Sequence, residues 1–186
     1  MRYFLAAIVV IFFIIIVFVL VLQGFTGTGQ PVPKSNLTQY AYTDTVMQYT
    51  VDGPVTANQT HMGIRVTIGQ YASTIQVYEG YQNDVLRSQT FNNNQSSYYV
   101  FLRALELLDY TSGIKSPALA DPRGYCPTGN RFTYQIINED TSTNIQNYWS
   151  STCGQGNFTG ETGQINSLFV AQIPDYAQFT EGTGLY

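Results

Sequence analysis

Chemistry in a chain of 186 residues has to come from few reactive groups here: two cysteines, one histidine, eight Lys and Arg, and twelve Asp and Glu. Cys126 and Cys153 are the first pair to weigh. They are not a C-x-x-C pair, so a thioredoxin-like redox motif is absent. With a single histidine they cannot form a Cys/His zinc set without carboxylates. A catalytic thiol would need an activating base, and His61 in "NQTHMGIR" has no partner at a recognisable spacing. His61 therefore reads as a surface or hydrogen-bonded loop histidine. No G-x-S-x-G, P-loop or dinucleotide fingerprint is present. Asp121 and Arg123 in "DPRGYCPTG" read as a turn tied by an ion pair. A glycosidase-type carboxylate pair is defined by separation in space, which sequence alone does not give. No catalytic residue, metal ligand or cofactor site is assigned.

Fifteen tyrosines are the remaining signal. A tyrosine offers a rigid apolar face and a hydroxyl, which suits contact with protein or glycan. Tyr78 and Tyr81 are the candidate binding residues. Tyr78 stands out because it opposes the apolar face of its strand.

The two cysteines make most sense as a bridge. Their mean position is 139.5, and the polar turn "EDTS" at 139–142 is centred on 140.5. Antiparallel pairing of "RFTYQIIN" with "TNIQNYWSS" around that turn brings the flanking chain together to within a residue or two of register. A disulfide Cys126–Cys153 closing this hairpin is the expectation.

The elements that must position these residues follow from periodicity. In "MGIRVTIGQ", Ile64, Val66 and Ile68 share one face against Arg65 and Thr67. In "STIQVYEGY", Ile75 and Val77 oppose Thr74, Gln76 and Tyr78. Such alternation marks half-buried strands. "TVMQYTVDG" reads as a strand before them and "DVLRSQTFN" as a weaker one after. In "SSYYVFLRALELLDYTSG", Tyr98, Phe101, Leu102, Leu105 and Leu108 follow the helical period, with Asn94 or Ser96 to cap the start and Gly113 to follow the end. A second helix is expected over 162–173, ended by Pro174. The fold class is thus α+β: an N-terminal transmembrane helix, then an antiparallel sheet with two helices and one disulfide-closed hairpin.

The compartment is read from residues 3–22, "YFLAAIVVIFFIIIVFVLVL", which carry no charge. Twenty apolar residues span about 30 Å, a bilayer core, and exceed the apolar core of a secretory signal. Residues 1–23 are expected to be an uncleaved signal anchor. Arg2 before the span places the N-terminus in the cytoplasm and the body outside, in a single pass. Residues 24–39, rich in Gly, Thr and Pro, form a flexible linker, and 40–186 the extracytoplasmic domain. The net charge of −4 carries no basic stripe and excludes nucleic acid as a partner. Asn36, Asn58, Asn94 and Asn157 begin N-x-[ST] sequons.

The segments "DPRGYCPTGNRFTYQI", "YWSSTCG" and "LFVAQIPDY" resemble those of N-terminally anchored proteins from small-genome bacteria. No activity is assigned to that group, so the resemblance implies a bacterial origin and no functional residues. The expected function is a membrane-anchored extracytoplasmic interaction or cell-envelope structural domain, non-enzymatic. Its partners are the lipid bilayer through residues 3–22 and an extracytoplasmic protein or glycan. The alternatives are a surface enzyme acting on envelope polymer through a carboxylate pair, and a pilin-like assembly subunit.

Overall fold

The computed structural model of the protein describes residues 36–185. The expected signal anchor and nearly all of the expected linker lie outside the described residues. Among the described residues, no helix is long and apolar enough to cross a membrane.

Six strands form one antiparallel sheet: β1 Thr45–Asp52, β2 Met62–Ile68, β3 Ala72–Glu79, β4 Asp84–Asn92, β5 Arg131–Asn138 and β6 Thr143–Ser151. Their order is β4-β3-β2-β1-β5-β6. The first four strands follow one another as a meander. The chain then passes through helix α1, Gln95–Leu107, and a long loop to bring β5 to the far side of β1. Helices α2, Thr162–Ala171, and α3, Tyr176–Phe179, follow the last strand. The expected α+β class with an antiparallel sheet is what the chain adopts.

Alternation decides what each strand gives to the core. Met47, Tyr49 and Val51 of β1 line up with Ile64, Val66 and Ile68 of β2, with Ile75 and Val77 of β3, and with Tyr134 and Ile136 of β5. Helix α1 lays Tyr98, Phe101, Leu102 and Leu105 on this face, and α2 adds Ile165 and Phe169. Each such side chain contributes roughly 1.5–3 kcal/mol on burial. The Asn94 side chain caps α1 by accepting from Ser97 N at 2.9 Å. The helix stops short of Gly113, because Asp109 turns the chain with a left-handed φ of 57°. Leu37 and Ala41 are already buried on a 3-10 helix, Leu37–Tyr42, beside α1. Strand β4 stays exposed on both faces at an edge of the sheet, which is why its alternation is weak in the sequence.

Tyrosine is mainly a core residue here. Tyr49, Tyr98, Tyr110 and Tyr134 are buried on the helix side among Phe101, Phe158 and Phe169. The Phe101 and Phe169 rings meet edge-on at 5.2 Å, and Tyr134 stacks on Phe158 at 4.2 Å. Their hydroxyls find internal acceptors: Tyr98 donates to Thr45 O at 2.7 Å, and Tyr134 to Asn166 Oδ1 at 2.8 Å. Burial pushes the Tyr134 and Tyr176 phenols up to about 12, and those of Tyr49, Tyr98 and Tyr110 further still. A folded value above the unfolded one, about 10, means that this stability is fully present below that pH and is lost as pH rises past it. In an alkaline titration, the buried set should ionise only together with loss of the near-ultraviolet circular dichroism signal. All fifteen ionising in a folded protein would contradict this packing.

The disulfide Cys126–Cys153 is present, with Cα atoms 5.6 Å apart. Its placement refines the symmetry argument. Arg131 pairs with Ser151, and that register continued by two residues sets Gly129 opposite Cys153. Cys126 reaches the same place because the chain turns at 126–129, with Cys126 at φ 48° and Gly129 N bonding Cys126 O at 3.3 Å. A Cβ at Gly129 would meet Cys126 Sγ at 2.6 Å and Thr152 Oγ1 at 2.2 Å, so the bridge requires glycine there.

Candidate functional site

The second face of the sheet is polar, and its rows follow from register. One row runs Tyr78, Gly63, Asp52, Arg131 across β3, β2, β1 and β5. The next runs Gln76, Arg65, Thr50, Thr133, and a third runs Thr74, Thr67, Gln48, Gln135. The third row is tied side chain to side chain. Gln48 Nε2 donates to Gln135 Oε1 at 2.6 Å, and Thr67 Oγ1 to Gln48 Oε1 at 3.4 Å. Thr74 and Thr90 of β4 share a hydroxyl hydrogen bond at 3.0 Å.

A cleft of about 230 Å³ lies on this face. Its floor is Gln48, Thr50, Thr133 and Gln135, with Asp52, Arg65, Arg131 and Tyr78 at one end. Asn83, from the β3–β4 turn, and Pro122, from the α1–β5 loop, border it.

Charge concentrates at the Asp52 end. Asp52 accepts from His61 Nε2 at 2.8 Å through Oδ1 and from Arg131 Nη2 through Oδ2. The Arg131 side chain is 8 % exposed and that of Asp52 28 %. His61 is buried, and its Nδ1 faces Pro54 O at 3.0 Å. Both ring nitrogens therefore face protein oxygens, and the ring is enclosed. His61 holds the loop at 53–60 against the sheet, in keeping with the hydrogen-bonded alternative read from sequence.

Tyr78 and Tyr81 sit at this same corner. Tyr78 does oppose the apolar face of β3, yet it is only 2 % exposed. Its ring fills the space above Gly63, where a Cβ would approach Tyr78 Cζ to 2.1 Å. The Arg65 guanidinium lies over that ring, 5.3 Å from its centroid. Burial raises the Tyr78 phenol, the Asp52 carboxylate adds to this, and Arg65 and Arg131 oppose it. Tyr81 is 49 % exposed and stacks on His61 at 4.3 Å. Its hydroxyl donates to Thr56 O at 2.8 Å and accepts from Thr56 N at 3.1 Å. Tyr78 is thus a support beneath Arg65, and Tyr81 a clamp with one ring face covered.

Asp52, Arg65 and Arg131 were not singled out by sequence reasoning. Arg65 was legible as a wet-face residue. The meeting of Asp52 with Arg131 requires knowing that β5 lies beside β1, which no local pattern encodes.

Elsewhere, Arg123 Nη2 meets Asp121 Oδ2 at 2.5 Å and holds the Asp121 carboxyl down at about 2, as an ion-paired turn would. The Asn157 sequon is not a surface feature. Asn157 is buried, accepts from Trp149 N at 2.7 Å and donates to Leu119 O at 3.1 Å. Among the described residues, no three His, Cys, Asp or Glu side chains gather as a metal site. A hollow of about 660 Å³ lies between Ile114, Lys115 and Pro117 on one side and Ile145, Asn147 and Tyr148 of β6 on the other.

Two carboxyl groups, those of Asp44 and Asp140, influence each other. The Asp44 carboxylate raises the Asp140 carboxyl above its ordinary range, first by like charge and then by a hydrogen bond between them. The stability this contact gives belongs to protonated Asp140. It is complete below the unfolded value and is lost as pH rises through the raised folded one. Asp140→Asn supplies a donor at every pH. It should raise the melting temperature at neutral pH, with the gain vanishing below about pH 4. Equal melting temperatures at neutral pH would contradict the contact.

No model of a known protein family matches this chain, and no curated protein matches it in sequence.

Proposed function

We propose that this protein is a membrane-anchored extracytoplasmic interaction domain that binds a polar component of the cell envelope through the open face of its sheet. Residues 3–22 are the anchor in this reading, with the N-terminal end in the cytoplasm and the α+β domain beyond the bilayer. The observation that carries the binding reading is the tied polar row Thr67–Gln48–Gln135 beside the Arg65 cleft. Side chains already held in place lose little freedom when a ligand engages them, so less of the contact energy is spent on ordering.

The alternatives gain less support. A carboxylate pair that cleaves a glycosidic bond stands about 5–10 Å apart with the substrate between. Among the described residues, the cleft is lined by a single carboxylate, that of Asp52. A pilin-like subunit would carry a long helix from the membrane onto the sheet. The first described helix here is a six-residue 3-10 turn starting at Leu37.

The test is co-sedimentation of the oxidised full chain with envelope material from its own cells. Wild-type protein and a Leu107→Glu variant, changed on an exposed part of α1, should sediment, and Gln135→Glu should not. Sedimentation of Gln135→Glu at the wild-type level would overturn the reading. The anchor has its own check. A tag fused ahead of residue 1 should resist external protease in intact cells, and accessibility of that tag would overturn the topology.

A further inference from the structure

Arg65 is chemically unfinished. Its guanidinium rests on the Tyr78 ring, and its buried Nε has no hydrogen-bond partner among the described residues. Its terminal nitrogens make no hydrogen bond or ion pair with any described residue either, whereas Arg87, Arg103, Arg123 and Arg131 each engage an oxygen. A guanidinium is a planar fork matched to a carboxylate or similar oxyanion. It lines the 230 Å³ cleft together with Arg131 and Asp52, so these three charges leave the cleft one positive charge in a chain of net −4.

The surroundings narrow the anion. Asp52 at the same end disfavours a doubly charged phosphate and leaves room for a single negative charge. The floor is Gln48, Thr50, Thr133 and Gln135, which are all hydroxyls and amides. Peptide recognition relies on apolar anchors in pockets, and this floor has none. A polyhydroxylated acid can use every one of these groups.

We propose that Arg65 is the carboxylate subsite of a sugar-acid binding cleft, and that the ligand is a uronic-acid residue of an acidic polysaccharide. The proposal rests on reading this sheet face as the binding surface. The carboxylate lies against the two terminal nitrogens of Arg65, while the ring hydroxyls exchange hydrogen bonds with Gln48, Thr50, Thr133 and Gln135. Tyr78 and Gly63 act as positioning residues, because together they set the height of the guanidinium above the sheet.

The experiment is a nuclear magnetic resonance titration of the full chain in detergent micelles with three probes: D-glucuronate, D-glucose, and N-acetyl-Ala-Ala carrying a free C-terminal carboxylate. Glucuronate should saturably shift the Arg65 Nε–H and the Gln48 and Gln135 side-chain amides, with glucose having no such effect. Arg65→Gln should weaken glucuronate about tenfold or more, and Arg65→Lys less, since it keeps charge without the fork. Equal responses to glucuronate and glucose, or no response to either, would overturn the proposal, and that comparison does not depend on any variant folding. Unchanged affinity in a folded Arg65→Gln protein would overturn it as well. Tighter binding of the dipeptide would overturn the sugar-acid assignment in favour of a peptide terminus. Failure of glucuronate with envelope co-sedimentation retained removes this inference alone. Failure of both removes the binding reading of the face.

Discussion

Cys126→Ser and Cys153→Ser are each expected to lower the unfolding free energy by about 2–5 kcal/mol. The bridge spans 27 positions of chain, and closing a loop of that length restricts the unfolded ensemble by about 3–4 kcal/mol. The native state also depends on it locally. The turn that carries Cys126 continues into Pro127, whose carbonyl accepts from Val55 N at 2.7 Å. Loss of the bridge therefore loosens the 53–60 loop that His61 and Tyr81 hold at the edge of the cleft. The double variant Cys126→Ser/Cys153→Ser should be no less stable than the worse single one, since both remove the same bond. Denaturant unfolding of the three variants, with the wild type run oxidised and reduced, checks this. Equal midpoints for oxidised and reduced wild type would contradict it.

Asp52→Ala should have an effect of similar size, about 2–4 kcal/mol. Removing this carboxylate leaves the guanidinium of Arg131 without its ion pair and one nitrogen of buried His61 without an acceptor. A fully buried orphaned charge costs about 3–5 kcal/mol. The figure is discounted here because the Asp52 side chain is 28 % exposed and water can partly replace it. Removing both charges should recover much of the loss, so Asp52→Ala/Arg131→Met is expected to be more stable than Asp52→Ala alone. A double-mutant cycle by chemical denaturation measures the coupling. A change within about 0.5 kcal/mol for Asp52→Ala would show that the cluster contributes no more than an exposed ion pair.

What the sequence revealed and what it hid divide along one physical line. Local period is written in adjacent residues, so β2, β3 and the α1 stripe of Tyr98, Phe101, Leu102 and Leu105 could be read directly. The cysteine pair was legible because a hairpin is itself local, although the extra turn at 126–129 shifted it from simple symmetry. Strand order is not local. That β1 lies between β2 and β5 follows from packing of the whole chain, and with it comes the meeting of Asp52 and Arg131. Tyrosine misled for a related reason. Its hydroxyl suits a surface when read alone. Yet Tyr110 satisfies that hydroxyl in the core on the carbonyls of Gln48 and Gln135, at 3.2 and 3.0 Å. Asn157 likewise looks like a sequon in one dimension, and serves as an internal bridge between Trp149 and Leu119 in three.

The central claim is that the polar face of the sheet, and not the helix layer, meets the partner. Photo-crosslinking in intact cells tests it most directly, with a benzoylphenylalanine introduced either at Gln76 on the polar face or at Leu107 on the exposed side of α1. The account predicts light-dependent adducts to envelope material from position 76 and none from position 107. Adducts from position 107 with none from position 76 would contradict it.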